Sequence, residues 1–219
     1  VAGRCSMNSE FKLPLVLLRE SENEMKEIPN SRLFNDSQYQ KTLEKWAAAI
    51  FGLGYEEYVS DCKIKIIEKE QDSADFILRS NNKDFPFQLT ERQREGRKRG
   101  KLYKEREKDS LKTEPYSPEE GRIKGPQWIY EAVDKKAKKY PDSEKLSLLV
   151  HINFGANKLE RDKIVQKLGE FENSFFSIWL VTNHQICSVF GNSEVGSIEG
   201  WGNISTIIPP QFFKNKVMS

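Results

Sequence analysis

The sequence predicts an α/β fold of the α+β kind, a central mixed β-sheet flanked by helices. Three observations predict it. Apolar residues recur at helical spacing in 37–51 and again after Pro126. Three short β-prone segments lie between these helices. The run LSLLVHINF, Leu146 to Phe154, is apolar enough for a strand buried on both faces. Helix, three strands, helix, strand, helix and two strands is the order of a mixed sheet sandwiched by helices.

Asp36 is placed to cap the first helix, in which Tyr39, Leu43, Trp46, Ala47 and Ile50 share a face and Gly52 and Gly54 are expected to end it. Strands are expected at 62–67, 74–79 and 85–90, the last two joined at Asn81-Asn82, a turn-prone pair. Pro126-Gln127 reads as the start of the second helix, which carries Trp128, Ile129, Ala132, Val133 and Ala137 and stops before Pro141. A third helix is expected over 158–170. FFSIWLV and ICSVF then give two strands across a turn at Asn183-His184. Residues 1–36 are read as an N-terminal extension, 37–195 as the core, and 196–219 as a C-terminal strap.

At 219 residues, with 37% apolar and 11% aromatic content, the chain can bury a core, and disorder of the whole is excluded. Its longest apolar stretches fall far short of the roughly 20 residues that cross a bilayer, so no membrane partner is expected. The run Leu13 to Leu18 is interrupted by Pro14, followed by Arg19 and Glu20, and lacks a small-residue cleavage site, so a cytoplasmic location is expected. Cys5, Cys62 and Cys187 form neither a CxxC nor a zinc-finger pattern. Nucleotide-binding glycine loops, HExxH and GxSxG are missing, which removes the common nucleotide, zincin and hydrolase classes.

Charge is concentrated. Between Arg92 and Lys108 stand nine basic and three acidic residues, a net +6, whereas the whole chain carries +2. Arg92, Arg94, Arg97, Lys98, Arg99, Lys101 and Lys104 are therefore candidate nucleic-acid contacts, on a basic excursion placed at 92–125 by its glycines and prolines. A solvated charged segment would have the same composition. Tyr103 and Tyr116 lie in the same stretch, where stacking on a base is open to them.

A two-residue turn at Asn81-Asn82 sets Ser80 opposite Lys83 and Asp75 opposite Gln88. Alternation then puts Asp75, Ile77 and Arg79 with Gln88 and Thr90 on one face, and Phe76, Leu78, Phe85, Phe87 and Leu89 on the core face. An acid, an amide oxygen and the start of the basic excursion converge at the open end of the hairpin.

This layout resembles the PD-(D/E)xK nuclease superfamily, with its restriction-endonuclease-like core. The matching pieces are the helix with Glu44, Asp75 in SADFIL, Gln88-Leu89-Thr90 in FQLTE, and the helix QWIYEAVDKKAKKY leading into LSLLVHINF. The resemblance implies a nucleic-acid-binding, metal-dependent phosphodiester hydrolase. Mg2+ or Mn2+ would be held at Asp75 and Gln88, Glu44 and Glu91 are further catalytic candidates, and DNA stands ahead of RNA as substrate. Enzymes of this superfamily that cut both strands are often dimers, so a homodimer belongs to the same expectation.

Two positions depart from the family pattern: Gln88 stands where it has its second acid and Thr90 where it has its lysine. Glu91 could replace the carboxylate if the strand bulged there, and Lys135 or Lys136 of the second helix could supply the cation. The alternative is a non-catalytic nucleic-acid- or protein-binding module on such a scaffold. On that reading Asp75 merely starts a strand, Glu44 is a solvated helix residue, and His151 is a hydrogen-bonded core histidine.

Overall fold

The computed structural model describes residues 10–33, 36–68, 73–93, 118–141, 145–154 and 159–205. Asp36 does cap the chain. Its carboxylate accepts from Gln38 N at 3.1 Å and opens a 3-10 turn, Ser37–Tyr39. The first two α-helices are α1 (Pro14–Lys26) and the short α2 (Asn30–Leu33). The turn after Asp36 runs into α3 (Gln40–Tyr58), which passes through Gly52 and Gly54 instead of ending there.

Packing explains that correction. A Cβ on Gly52 would lie 2.6 Å from Ile64 Cδ1 and 2.7 Å from Pro14 Cγ, and one on Gly54 would lie 2.9 Å from Ile186 Cγ2. Without those atoms the helix can lie directly on its neighbours, and this burial outweighs the roughly 1 kcal/mol of helix propensity each glycine costs. Pro14 belongs to α1, whose Leu17 and Leu18 are core residues. Part of the segment read as an extension is thus packed into the fold.

Strands β1 (Cys62–Ile66), β2 (Phe76–Ser80) and β3 (Lys83–Gln93) form an antiparallel meander. Asn81 and Asn82 both adopt positive φ, 49° and 60°, the backbone of a tight two-residue hairpin turn that asparagine tolerates. The pairs Ser80↔Lys83 and Phe76↔Phe87 give the expected register. β3 extends beyond its expected span because β4 (Ser147–Asn153) runs parallel beside it, pairing Phe87 through Gln93.

The connection from β3 to β4 contains α4 (Pro118–Lys139), which starts eight residues before the expected Pro126. Pro118 occupies a helix start, Glu119 and Glu120 suit the positive end of the helix dipole, and Pro126 is buried within the helix. Gly125 just before it allows the approach of Leu159, whose Cδ2 lies 2.5 Å from where a Cβ would stand. Residues 118–125 are therefore helix and not part of the basic excursion.

α5 (Arg161–Leu168) and a 3-10 turn, Gly169–Phe171, precede β5 (Ile178–Val181), which is parallel to β4. β6 (Gln185–Phe190) and a short β7 (Gly202–Asn203) add antiparallel neighbours, so the seven strands lie in chain order. One core joins α1 and α3 to one sheet face through Phe51, Phe76, Leu78, Phe87 and Trp179. The other joins α4 and α5 to the opposite face through Trp128, Ile129, Leu148, Val150 and Ile164. Among the described residues no helix is long and apolar enough to cross a membrane.

Phe51 is fully buried, with Phe87, Trp179, Tyr55 and Phe76 ring centroids 5.1 to 6.1 Å away. Phe51→Ala should lower stability by about 3–5 kcal/mol, read as a shift in the urea midpoint. A loss under about 1 kcal/mol would mean that these rings are not packed as described.

Candidate functional site

Four elements meet at the open end of the β2–β3 hairpin. Asp75, just before β2, donates its backbone N–H to Phe87 O at 2.8 Å. Its side-chain Oδ2 accepts from Leu89 N at 2.7 Å. The residue thus brackets Gln88 through both backbone neighbours, which is why this carboxylate has a fixed position.

Gln88 is 2% exposed and directed toward α4. Its Oε1 accepts from Lys136 Nζ at 2.6 Å, and its Nε2 donates to the Ser73 carbonyl. An ammonium has only donors and a carbonyl only accepts, so both ends of the amide are assigned by chemistry. A glutamate here would still satisfy Lys136 but would set a carboxylate oxygen against the Ser73 carbonyl. Local bonding therefore favours an amide over a carboxylate at position 88.

Lys136, near the end of α4, is the one of the two lysines considered for the cation absent at Thr90 that reaches Gln88. Desolvation by burial pulls its pKa below the ordinary lysine value, and the charges of Asp75 and Glu44 pull it back up. Those attractions place both carboxylates within the field of the ammonium.

Glu44 is 8% exposed, not solvated, because it shares the buried stripe of α3 with Ala47, Ala48 and Phe51. Its Oε1 accepts from Gln40 Nε2 at 2.8 Å. Lys41 Nζ stands 2.8 Å from its Oε2 and 3.8 Å from Asp75 Oδ1. Oε2 is buried, and the contact with Lys41 is an ion pair, not a hydrogen bond.

Other candidates lie differently. β3 keeps an unbroken register through Glu91↔His151, so the bulge that would have turned Glu91 toward Asp75 is not formed. Its carboxylate instead accepts from Asn153 Nδ2 at 2.6 Å and Gln93 Nε2 at 3.1 Å. Arg92 belongs to the fold: its guanidinium reaches Glu131 of α4 at 2.6 Å, linking strand to helix. Arg94, Arg97, Lys98, Arg99, Lys101 and Lys104, with Tyr103 and Tyr116, lie outside the described residues. His151 is 4% exposed, edge-on to Trp46 at 5.5 Å and 3.5 Å from Asn183 Oδ1, a core histidine as expected.

Lys41 was missed. Its place in the first turn of α3, one helical step before Glu44, was visible, but only the three-dimensional approach of α3 to Asp75 makes it part of the site.

Among the described residues no group of three or more His, Cys, Asp or Glu is arranged to hold a metal. Magnesium, however, commonly binds through one or two carboxylates, with waters and substrate phosphates completing its shell. Glu44 and Asp75 provide such a pair, Glu44 Oε2 is buried without a hydrogen bond, and Gln88 Oε1 retains a second lone pair. Oxygen donors of these kinds are the ones that Mg2+ and Mn2+ take. The chain matches no protein-family model, no curated protein and no solved structure.

The lowered pKa means that Lys136 loses its proton at a lower pH than an exposed lysine does. Asp75→Asn removes an attraction that favours the ammonium and should lower the pKa further. NMR titration of 13C-methylated lysines reads both effects. A Lys136 signal that titrates with the surface lysines, or that moves up in the variant, would contradict the described burial and charge arrangement.

Proposed function

We propose that this chain binds nucleic acid and hydrolyses its phosphodiester bonds with a divalent metal, at a PD-(D/E)xK-type site formed by Glu44, Asp75, Gln88 and Lys136. The observation that carries this reading is the 2.6 Å bond from Lys136 to Gln88. It supplies from α4 the cation missing at Thr90, beside the residue that stands for the second acid. The element order supports the reading as well: a helix, a strand meander, a helix and a further strand are what the resemblance implies.

In this site Glu44 and Asp75 would hold the ion, with the Gln88 carbonyl as a further oxygen donor. Bound there, Mg2+ or Mn2+ supplies Lewis acidity and a water of lowered pKa. Asp75 is held in place by Leu89 N, so it would hold an ion with little reorganisation. Lys136 fixes the Gln88 amide and brings a positive charge to where a phosphate would approach. The basic residues from Arg94 to Lys104 would track the nucleic-acid backbone, with DNA the first substrate to try. A homodimer and a cytoplasmic location remain parts of this proposal.

A non-catalytic binding module is the second reading, favoured by one observation. Lys41 already places an ammonium beside both carboxylates, so one of their two charges is answered without a metal.

Wild type should cut DNA or RNA, single- or double-stranded, in Mg2+ or Mn2+ and not in EDTA. Asp75→Ala should abolish cutting while leaving retention of nucleic acid intact, and Lys136→Met should slow it by about a hundredfold or more. Undiminished cutting by Asp75→Ala would overturn the assignment, and retention with no cutting by wild type would favour the binding module. Neutralising Arg97, Lys98 and Arg99 together should reduce the slope of log affinity against log salt by about 2–3. An unchanged slope would remove these three residues from the interface.

A further inference from the structure

We infer that Lys41 is a tethered counter-ion that competes with the divalent metal for Glu44 and Asp75, so that metal loading requires its ammonium to move away. This inference rests on the proposed metal site and concerns how that site is controlled.

Three observations carry it. Lys41 Nζ lies 2.8 Å from Glu44 Oε2 and 3.8 Å from Asp75 Oδ1, one cation shared by the two carboxylates assigned to the metal. Glu44 is more than nine-tenths buried, and that same Oε2 accepts no hydrogen bond. Its charge is therefore answered by an ammonium in an ion pair and not by a fixed donor network. Such a contact compensates the charge while leaving the oxygen able to take a stronger ligand.

A pocket beside Lys41 offers other carboxylates. Lys41 lines this pocket of about 170 Å³ between α1, α3 and β1, whose other charged walls are Glu10, Glu24 and Glu68 with Lys12, itself paired to Glu20, and Lys45. The Lys41 side chain is 38% exposed, so no packing holds its ammonium at the carboxylates. Glu24 is held by Lys45 Nζ at 2.6 Å and approached by the Thr42 hydroxyl at 3.3 Å, so Glu10 and Glu68 are the wall carboxylates through which the pocket would best receive a displaced lysine.

Lys41 thus offsets one of the two carboxylate charges when metal is absent, and its ammonium would retreat to other acids when a divalent ion answers both. The energetic consequence is a lowered apparent metal affinity, because part of the binding energy is used to displace an existing ion pair.

The test is Mn2+ binding to the full chain, followed by the loss of free Mn2+ signal in electron paramagnetic resonance, without nucleic acid. Lys41→Met should bind Mn2+ about tenfold more tightly than wild type, whereas Lys41→Arg, which keeps the charge, should remain near wild type. In wild type, saturating Mg2+ should also change the rate at which Lys41 is acetylated, because its ammonium changes surroundings, read by mass spectrometry. Equal affinity of wild type and Lys41→Met, with binding lost in Glu44→Gln, would overturn the counter-ion role and leave the metal site standing. Absence of Mn2+ binding in both proteins would overturn the metal site together with the inference. If Lys41→Met fails to fold, acetylation unchanged by Mg2+ in wild type still overturns it.

Discussion

The turn at Asn81-Asn82 is the constraint on which the rest of the structure depends. Two consecutive positive φ values close the hairpin in two residues and leave only one pairing between β2 and β3. Because side chains alternate, a slip of one residue would turn the whole strand over. Phe85 and Phe87 would leave the α3 core, and Gln88 would face away from Lys136. β3 also provides the template for β4, so the same turn governs where the parallel half of the sheet begins.

The polar cluster lies where this constraint meets two helices that approach from opposite sheet faces. α3 contributes Lys41 and Glu44 and α4 contributes Lys136, each attached to its own apolar core. The two cores differ in their residues but share a sheet, which gives the charged groups a rigid frame. Within that frame the polar contacts are unequal. Asp75 and Gln88 are held by backbone amide and carbonyl groups, whereas the contacts of Lys41 are those of one flexible side chain.

Much of the architecture was legible in the sequence, for physical reasons that differ by element. The hairpin register followed from asparagine chemistry, and β4 from an uninterrupted apolar run. Where α3 ends and α4 begins was not legible, since the residues that usually break helices are used there for close approach. Gly52 and Gly54 let α3 lie on its neighbours, and Gly125 and Pro126 are buried within α4. At the site, the convergence of Asp75 with Gln88 was readable from alternation along two adjacent strands. Alternation also gave Glu91 the opposite direction, and the unbroken register keeps it there. The burial of Glu44 could have been read from its phase with Ala48 and Phe51. The choice of Lys136 over Lys135, and the position of Lys41, depended on how helices dock, which one sequence does not encode locally.

One feature at the edge of the sheet bears on behaviour at high concentration. The outer side of β1 is joined by Lys12, which exchanges both backbone hydrogen bonds with Ile64 at 2.8 Å. Lys63 is exposed on the same strand, and Lys65 is half-buried. An edge strand with open amides and carbonyls would be a template for another chain's strand. Here the midpoint of that template is already taken by the protein's own backbone, and the neighbouring charges make strand addition unfavourable. At this edge, then, growth into ordered aggregates requires the segment before α1 to detach first, a step that sets a barrier against assembly while leaving the folded sheet intact.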